Sequence, residues 1–451
     1  SGSAFDTKLF KRLLKYTNPY RNTFYFVAFA AIALSGLGVL RPYLLRLTID
    51  EGITNSDAES LVYYVSAMLV VLVSEVIFQF SFIYFANWLG QAVITDLRIK
   101  LYQHMMNFKK QYFDNSSVGR LVTRAVSDIE TIASIFSQGL FMIISDLLKM
   151  LVVLGFMFWQ SWQLTLLVLM VLPFIIYATR VFQKKMKIAF EEVRTQVSNL
   201  NSYVQEHLTG MKIVQIFNRE QEEYNRFRSI NEKHKKGWIK TVWYNAIFFP
   251  IAEMSTSITI GLIVWFGGLR VVESDVLSLG IIVMFIELSQ MLFRPLRQIA
   301  DKFNSLQMGM VAANRVFKIL DTDAQIENSG HIISEKLSGH IIFKDVKFSY
   351  IPDEEILKGI SFEVNPGDTV AIVGATGAGK STVINLLSRF YEIKSGTILV
   401  DGEDIKHYEL AALRSQIAVV LQDVFLFADS ILNNITLNKT DITEDQVITA
   451  A

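Results

Sequence analysis

Six apolar runs, near 23–40, 61–88, 140–159, 164–178, 242–266 and 277–299, approach or exceed the roughly 20 helical residues needed to cross a hydrocarbon core. Lipid offers backbone N–H and C=O groups no partners, so segments of this kind must satisfy their hydrogen bonds internally, as helices. Composition agrees: 51% of the 451 residues are hydrophobic and 33 are Phe, too apolar for an ordinary soluble chain of this length. A formal net charge of zero leaves no electrostatic footprint for nucleic acid. The absence of Cys excludes a disulfide framework and thiolate metal sites, and the six His show no paired i, i+4 ligand spacing. The opening Ser-Gly-Ser reads as a processing scar and enters no fold argument.

The basic residues are distributed unevenly around these runs. Lys8, Lys11, Arg12, Lys15 and Arg21 precede the first. Arg98, Lys100, Lys109, Lys110, Arg120 and Arg124 lie between the second and third, and Arg180, Lys184, Lys185 and Lys187 between the fourth and fifth. The first-to-second connection carries Asp50, Glu51, Asp57 and Glu59, and the fifth-to-sixth Glu273 and Asp275. The positive-inside bias therefore places both termini in the cytoplasm. Phe5, Leu9 and Leu13 recur at helical spacing among cations, which predicts an interfacial helix on the inner leaflet. The third and fourth runs are separated only by 160–163, a tight hairpin. From 61 to 113 almost no Gly or Pro intervenes, so one helix of roughly 75 to 80 Å is expected, far longer than the bilayer core. Breakers at 114–119 and at Thr209-Gly210 mark two reversal points.

Downstream, 374–381 reads Gly-Ala-Thr-Gly-Ala-Gly-Lys-Ser, a G-x-x-x-x-G-K-S phosphate loop. The apolar run 369–373 predicts a buried strand before it, introduced by a turn at Asn365-Pro366-Gly367-Asp368, and 381–390 predicts a helix after it. Strand, glycine loop and helix in this order suit polyphosphate, because glycines let N–H groups curl around oxygens and the helix N-terminus adds partial positive charge. ATP and Mg²⁺ are the expected cofactors. Lys380 is assigned to the β/γ-phosphates, Ser381 to Mg²⁺, and the backbone of Thr376, Gly377, Ala378, Gly379, Lys380, Ser381 and Thr382 to the phosphate cradle. Val346, Phe348 and Tyr350 alternate with Lys347 and Ser349 on an apparent strand. The run 417–421 predicts another buried strand, with Gln422 at its carboxyl end, where open α/β sheets place ligand contacts.

Three stretches carry a family resemblance. The sequence from Tyr112 through Arg120 and Arg124 to Asp128 resembles the first intracellular loop of exporter-type ATP-binding cassette half-transporters, such as bacterial lipid flippases and multidrug half-exporters. Glu206 to Phe217 resembles the second loop, and Ala313 to Asp321 the joint into the nucleotide domain. The resemblance implies coupling helices at the two reversal points, an adenine-stacking role for Tyr350 in place of a core or surface one, and a Q-loop role for Gln422, touching Mg²⁺ or the attacking water. It also implies a membrane-embedded dimer, with itself or a second half-transporter, acting on a small amphipathic substrate at the bacterial inner membrane. The family's LSGGQ signature, Walker B carboxylates and switch His do not occur in these 451 residues, so the sequence reads as part of a longer half-transporter, hydrolytically incompetent by itself.

The expected architecture is therefore an interfacial segment over 1–22, a six-span helical membrane domain with long cytoplasmic extensions over 23–325, and a partial α/β P-loop nucleotide-binding domain over 326–451. Glu75, Glu253 and Glu287 are single acids in apolar runs, while Asp146 and Lys149, at i, i+3, can pair on one helix face. Such groups face the bundle, either to meet substrate or to hydrogen-bond between helices. ATP-driven export or flipping is the leading expectation; a non-hydrolysing ATP-gated channel, or a sensor acting through a partner, are the alternatives.

Overall fold

The computed structural model describes residues 6–273, 277–334, 336–422 and 424–451, without the side chains of Glu273, Arg297, Ile299, Ala300 and Asp301. Phe5 and Asp275, and the Glu273 side chain, thus lie outside the described residues. The chain divides into two compact units, Ser1–Met105 with Gly119–Thr322, and Met106–Val118 with Asp323–Ala451.

The first unit is helical throughout. It contains α1 (Thr7–Lys15), α2 (Arg21–Leu47) and α3 (Ala58–Met106). After α4 (Lys110–Asp114), which belongs to the second unit, come α5 (Val118–Thr123), α6 (Ile129–Ser134) and α7 (Phe141–Gln160). The series continues with α8 (Trp162–Thr209), α9 (Met211–Ile216), α10 (Glu220–Glu273) and α11 (Leu279–Leu320). Six helical stretches among the described residues are long and apolar enough to cross a membrane: Asn18–Ile53, Ala58–Met106, Val118–Gln160, Trp162–Thr209, Glu220–Val272 and Leu279–Leu296. Five of the predicted spans lie within them, and the sixth, 277–299, overlaps the stretch Leu279–Leu296 and runs past it at both ends.

Local chemistry explains the helix limits. Asp6 caps α1 by accepting from the N–H groups of Lys8 and Leu9 at 2.9 and 3.1 Å. Between α7 and α8 the hairpin is tighter than the predicted 160–163 turn: Ser161 alone leaves the helical region, and its hydroxyl accepts from Leu164 N–H at 3.4 Å. The acid Asp50 fastens the start of α11, its Oδ1 accepting from Gly280 N–H at 2.8 Å and its Oδ2 from the Ser278 hydroxyl at 2.5 Å. A Cβ on Gly280 would stand 2.6 Å from both Arg46 O and Asp50 Oδ1, so only glycine permits this approach.

Inside the apolar stretches, hydroxyls bond back to their own helix, as Ser35 does to Ala31 O at 2.9 Å and Thr259 to Ser255 O at 2.8 Å, leaving no cost to lipid. Val153, Leu164, Val168, Ile263, Phe285, Leu288 and Phe293 form the fully buried centre. Two expectations are corrected here. The predicted helix from 61 to 113 ends at Met106, and Lys109 N–H pairs instead with Ala324 O at 2.8 Å, giving the chain an extended break before α4. The predicted Asp146–Lys149 pair does not form: Lys302 donates to Asp146, while Lys149 Nζ lies 3.6 Å from where a Cβ on Gly38 would stand.

The second unit contains β1 (Ile341–Phe348), β2 (Leu357–Val364), β3 (Ser395–Val400) and β4 (Glu403–Asp404), antiparallel in the order β2-β1-β3-β4. Its helices are α12 (Lys380–Leu387), α13 (Leu410–Ser415), α14 (Ile431–Thr436) and α15 (Glu444–Ala450). Phe343, Val346, Phe348, Leu357, Val383, Leu386 and Ile398 join sheet and α12 in one core. The buried strands predicted at 369–373 and 417–421 are absent. Val373 is 87% and Val420 99% exposed. Neither run has a neighbouring strand among the described residues, and an extended segment without a partner leaves its N–H and C=O groups to water. The turn predicted before 369–373 does form, with Gly367 at φ +86° and Asp368 N–H donating to Asn365 O at 3.1 Å.

Candidate nucleotide site

The phosphate loop connects the 365–368 turn to α12. Gly377 and Gly379 both have φ +88°, a conformation that other residues rarely adopt. Gly379 also lies against β2, so that a Cβ there would come within 2.8 Å of Leu357 Cδ2 and 3.0 Å of Ile356 Cγ2. The glycine is therefore required both for the turn and for the close approach of the loop to the sheet. Gly374, Ala375, Thr376, Gly377 and Ala378 are exposed, as is Ser381, at the start of α12, whose first N–H groups have no intrahelical partner.

Lys380 folds over this loop, its Nζ donating to Gly374 O and Ala375 O at 2.9 Å each. Those carbonyls hold the ammonium at the loop. Thr382 is buried, and its Oγ1 accepts from the Tyr350 hydroxyl at 3.2 Å. The predicted helix 381–390 stops at Leu387. Arg389 takes φ +50°, and the Arg414 guanidinium donates to Ser388 O at 3.0 Å and Arg389 O at 2.8 Å, closing the helix C-terminus.

Tyr350 lies two residues beyond the end of β1 and not on the strand, since β1 ends at Phe348. It is edge-on to Phe348 at 4.8 Å and to Tyr391 at 5.0 Å between ring centroids. Tyr391 had no sequence signal of its own; it follows the helix terminus that Arg389 creates. Its hydroxyl donates to Asp114, and Lys110 Nζ donates to the same carboxylate at 2.8 Å. Burial and the Asp114 hydrogen bond push the Tyr391 phenol up to about 12. Burial alone would raise the Asp114 carboxyl, but the donors Lys110 and Tyr391 outweigh it and hold the group below its ordinary value. Asp114, Tyr391, Tyr350 and Thr382 thus form an unbroken series from α4 to the helix of the phosphate loop.

Gln422 is exposed, in a bend after the exposed residues 418–421, and no hydrogen bond among the described residues ties it to the loop. The loop suits a polyphosphate: it has the glycine-only cradle, the lysine and a helix N-terminus. Among the described residues no group of three or more His, Asp or Glu is gathered to hold a metal, and Ser381 and Gln422, the two side chains expected from the sequence to meet Mg²⁺, are both exposed.

Two family models match the chain, an ABC transporter transmembrane region over residues 24–296 and an ABC transporter region over 357–450. An uncharacterized ABC transporter ATP-binding protein of Bacillus subtilis, YknV, is 32% identical over 98% of this chain and 73% of its own length. An ATP-dependent lipid A-core flippase of Idiomarina loihiensis is 32% identical over 98% of this chain and 76% of its own. A putative multidrug export ATP-binding/permease protein of Bacillus subtilis, YgaD, is 28% identical over 98% of this chain and 77% of its own.

Proposed function

Because the chain belongs to the ABC transporter family, we propose that it couples ATP to the export or flipping of an amphipathic lipid or drug-like molecule, by alternating access, as half of a homodimer or heterodimer. The observation that carries this reading is the joining, in one chain, of six membrane-crossing helices to a glycine loop over which Lys380 is folded. Relatives named as a lipid A-core flippase and a multidrug exporter support the substrate class.

In this reading Lys380 exchanges the Gly374 and Ala375 carbonyls for β/γ-phosphate oxygens, and the N–H groups from Thr376 to Thr382 cradle the remaining charge. The Tyr350 ring stacks on adenine, held by Phe348, Tyr391 and Thr382. Mg²⁺, when bound, neutralises charge developing on the phosphates, with Ser381 and Gln422 as its ligands from this chain. Glu75 and Glu287, each with a buried carboxylate oxygen that lacks a hydrogen bond among the described residues, are available to a cationic or zwitterionic part of the substrate. The Lys/Arg asymmetry supports a cytoplasmic location for both termini and the nucleotide unit, and the bacterial relatives support the inner membrane as the location.

In proteoliposomes, Lys380→Ala is expected to abolish ATP-driven transport with membrane insertion unchanged, and transport at the unmodified rate would refute the assignment. Orientation is tested separately in this Cys-free background: a cysteine at Asp57 should label from outside intact cells, and cysteines at Ser117 and Lys212 should not.

A further inference from the structure

The amphipathic α1 carries more cations than its own contacts use. Arg12 is committed, its guanidinium making a paired bond to Asp321 at 2.6 and 2.7 Å and lying 4.2 Å from the centroid of Phe317. Leu13 is fully buried, so α1 is fastened along one side. Lys8, Lys11 and Lys15 follow one another at helical spacing on the opposite side, exposed, and no salt bridge holds them among the described residues.

These lysines border an open cavity of about 750 Å³, together with Arg12, Tyr16 and Lys100 of α3. Lys100 Nζ lies 5.4 Å from the centre of the Tyr16 ring. The nearby acids are engaged elsewhere: Asp321 with Arg12, Asp6 with the first N–H groups of α1, and Asp96 with the Tyr20 hydroxyl. Four exposed ammonium groups around one volume, none of them in a salt bridge among the described residues, give it a positive potential that favours an anion.

We propose that this cavity binds the phosphate of an anionic phospholipid headgroup, drawn from the leaflet on which α1 lies. The choice of a lipid follows from position. The cavity adjoins the chain segment that enters the first membrane-crossing helix, and the exposed lysine side of α1 is suited to headgroups. The proposal requires only that the protein is a multi-pass membrane protein and is independent of what it transports.

The test is lipid retention by the full chain in nanodiscs of phosphatidylglycerol and phosphatidylcholine, read by native mass spectrometry and by the immobilised fraction of spin-labelled phosphatidylglycerol. Lys8→Gln/Lys11→Gln/Lys15→Gln is expected to reduce the preference for phosphatidylglycerol by roughly tenfold or more. A control of equal charge change, Lys233→Gln/Lys236→Gln with Lys184→Gln, should leave it unchanged. Lys100→Gln, on a different helix, should lower it independently, which separates loss of the site from loss of α1. Equal losses in triple variant and control would overturn the site in favour of diffuse surface charge. Displacement of the lipid by millimolar inorganic phosphate would overturn the lipid assignment, showing a site for the free anion.

Discussion

The two units meet their sequence patterns very differently. In the helical unit each apolar run forms its helix, while in the nucleotide unit two of the most apolar runs, 369–373 and 417–421, form no strand and, apart from the half-buried Ile417, lie exposed. A helix satisfies each N–H from a carbonyl four residues back, so its formation requires nothing from elsewhere. A strand has no internal partners. However apolar its side chains, it becomes a strand only when another is set beside it.

Hydrogen exchange breaks or sharpens this contrast most directly. Amides of 369–373 and 417–421 are expected to exchange about a thousandfold or more faster than those in the buried middle of α7 and α11. Comparable protection in both units would mean that the strands do pair. Next in size, Phe285→Ala should destabilise the helical unit by about 3 to 5 kcal/mol in a thermal or denaturant melt, because Phe285 is wholly buried among α11, α7 and α8 side chains. Val420→Asp, at a site 99% exposed, should change stability by no more than about 0.5 kcal/mol.

Glycine replacement gives a third comparison. Gly379→Ala should cost the nucleotide unit about 1 to 3 kcal/mol and greatly weaken binding of a fluorescent ATP analogue, since φ is +88° and Leu357 is in the way. In the helical unit, Gly261→Ala meets nothing within 4 Å and should be neutral or stabilise by up to about 1 kcal/mol. Equal effects at both sites would remove the claim that the loop, and not glycine in general, is constrained.

The smallest effect concerns pH. Burial would raise the Asp401 carboxyl, but the Ser338 hydroxyl and the N–H groups of Ser338, His340 and Gly339 hold it below its ordinary value. A carboxyl depressed in the folded state adds stability that is fully present above the unfolded value and is lost as pH falls through the folded one. Melts of the nucleotide unit within the intact chain should therefore lose stability below about pH 4, and Asp401→Asn should flatten that slope. The helical unit's transition should not respond to this substitution.

The phosphate loop was legible because its requirements are local: glycines at fixed offsets, one lysine and a helix start. Thr382 and Lys380 fall where the motif put them, on the first turn of α12. Tyr350 was legible by position but not by setting, since its neighbours Phe348, Tyr391 and Thr382 come from three segments. Tyr391 and its bond to Asp114 were invisible, because 277 positions separate the partners and nothing in either local pattern refers to the other. Likewise the i, i+3 spacing allowed Asp146 to pair with Lys149 along one helix, and only packing brought Lys302 to it.

The sequence by itself determined the six membrane-crossing helices, their lipid-compatible composition, the lysine-bearing face of α1 and the glycine loop, all of which depend on interactions within a few residues along the chain. Tertiary structure decided where α3 breaks, which acid meets which base, how α4 comes to hold Tyr391, and which apolar runs find a neighbouring strand. Those outcomes depend on groups far apart in sequence, and an ion pair, a sheet register or a buried hydroxyl acquires its energy only when folding has brought both partners together.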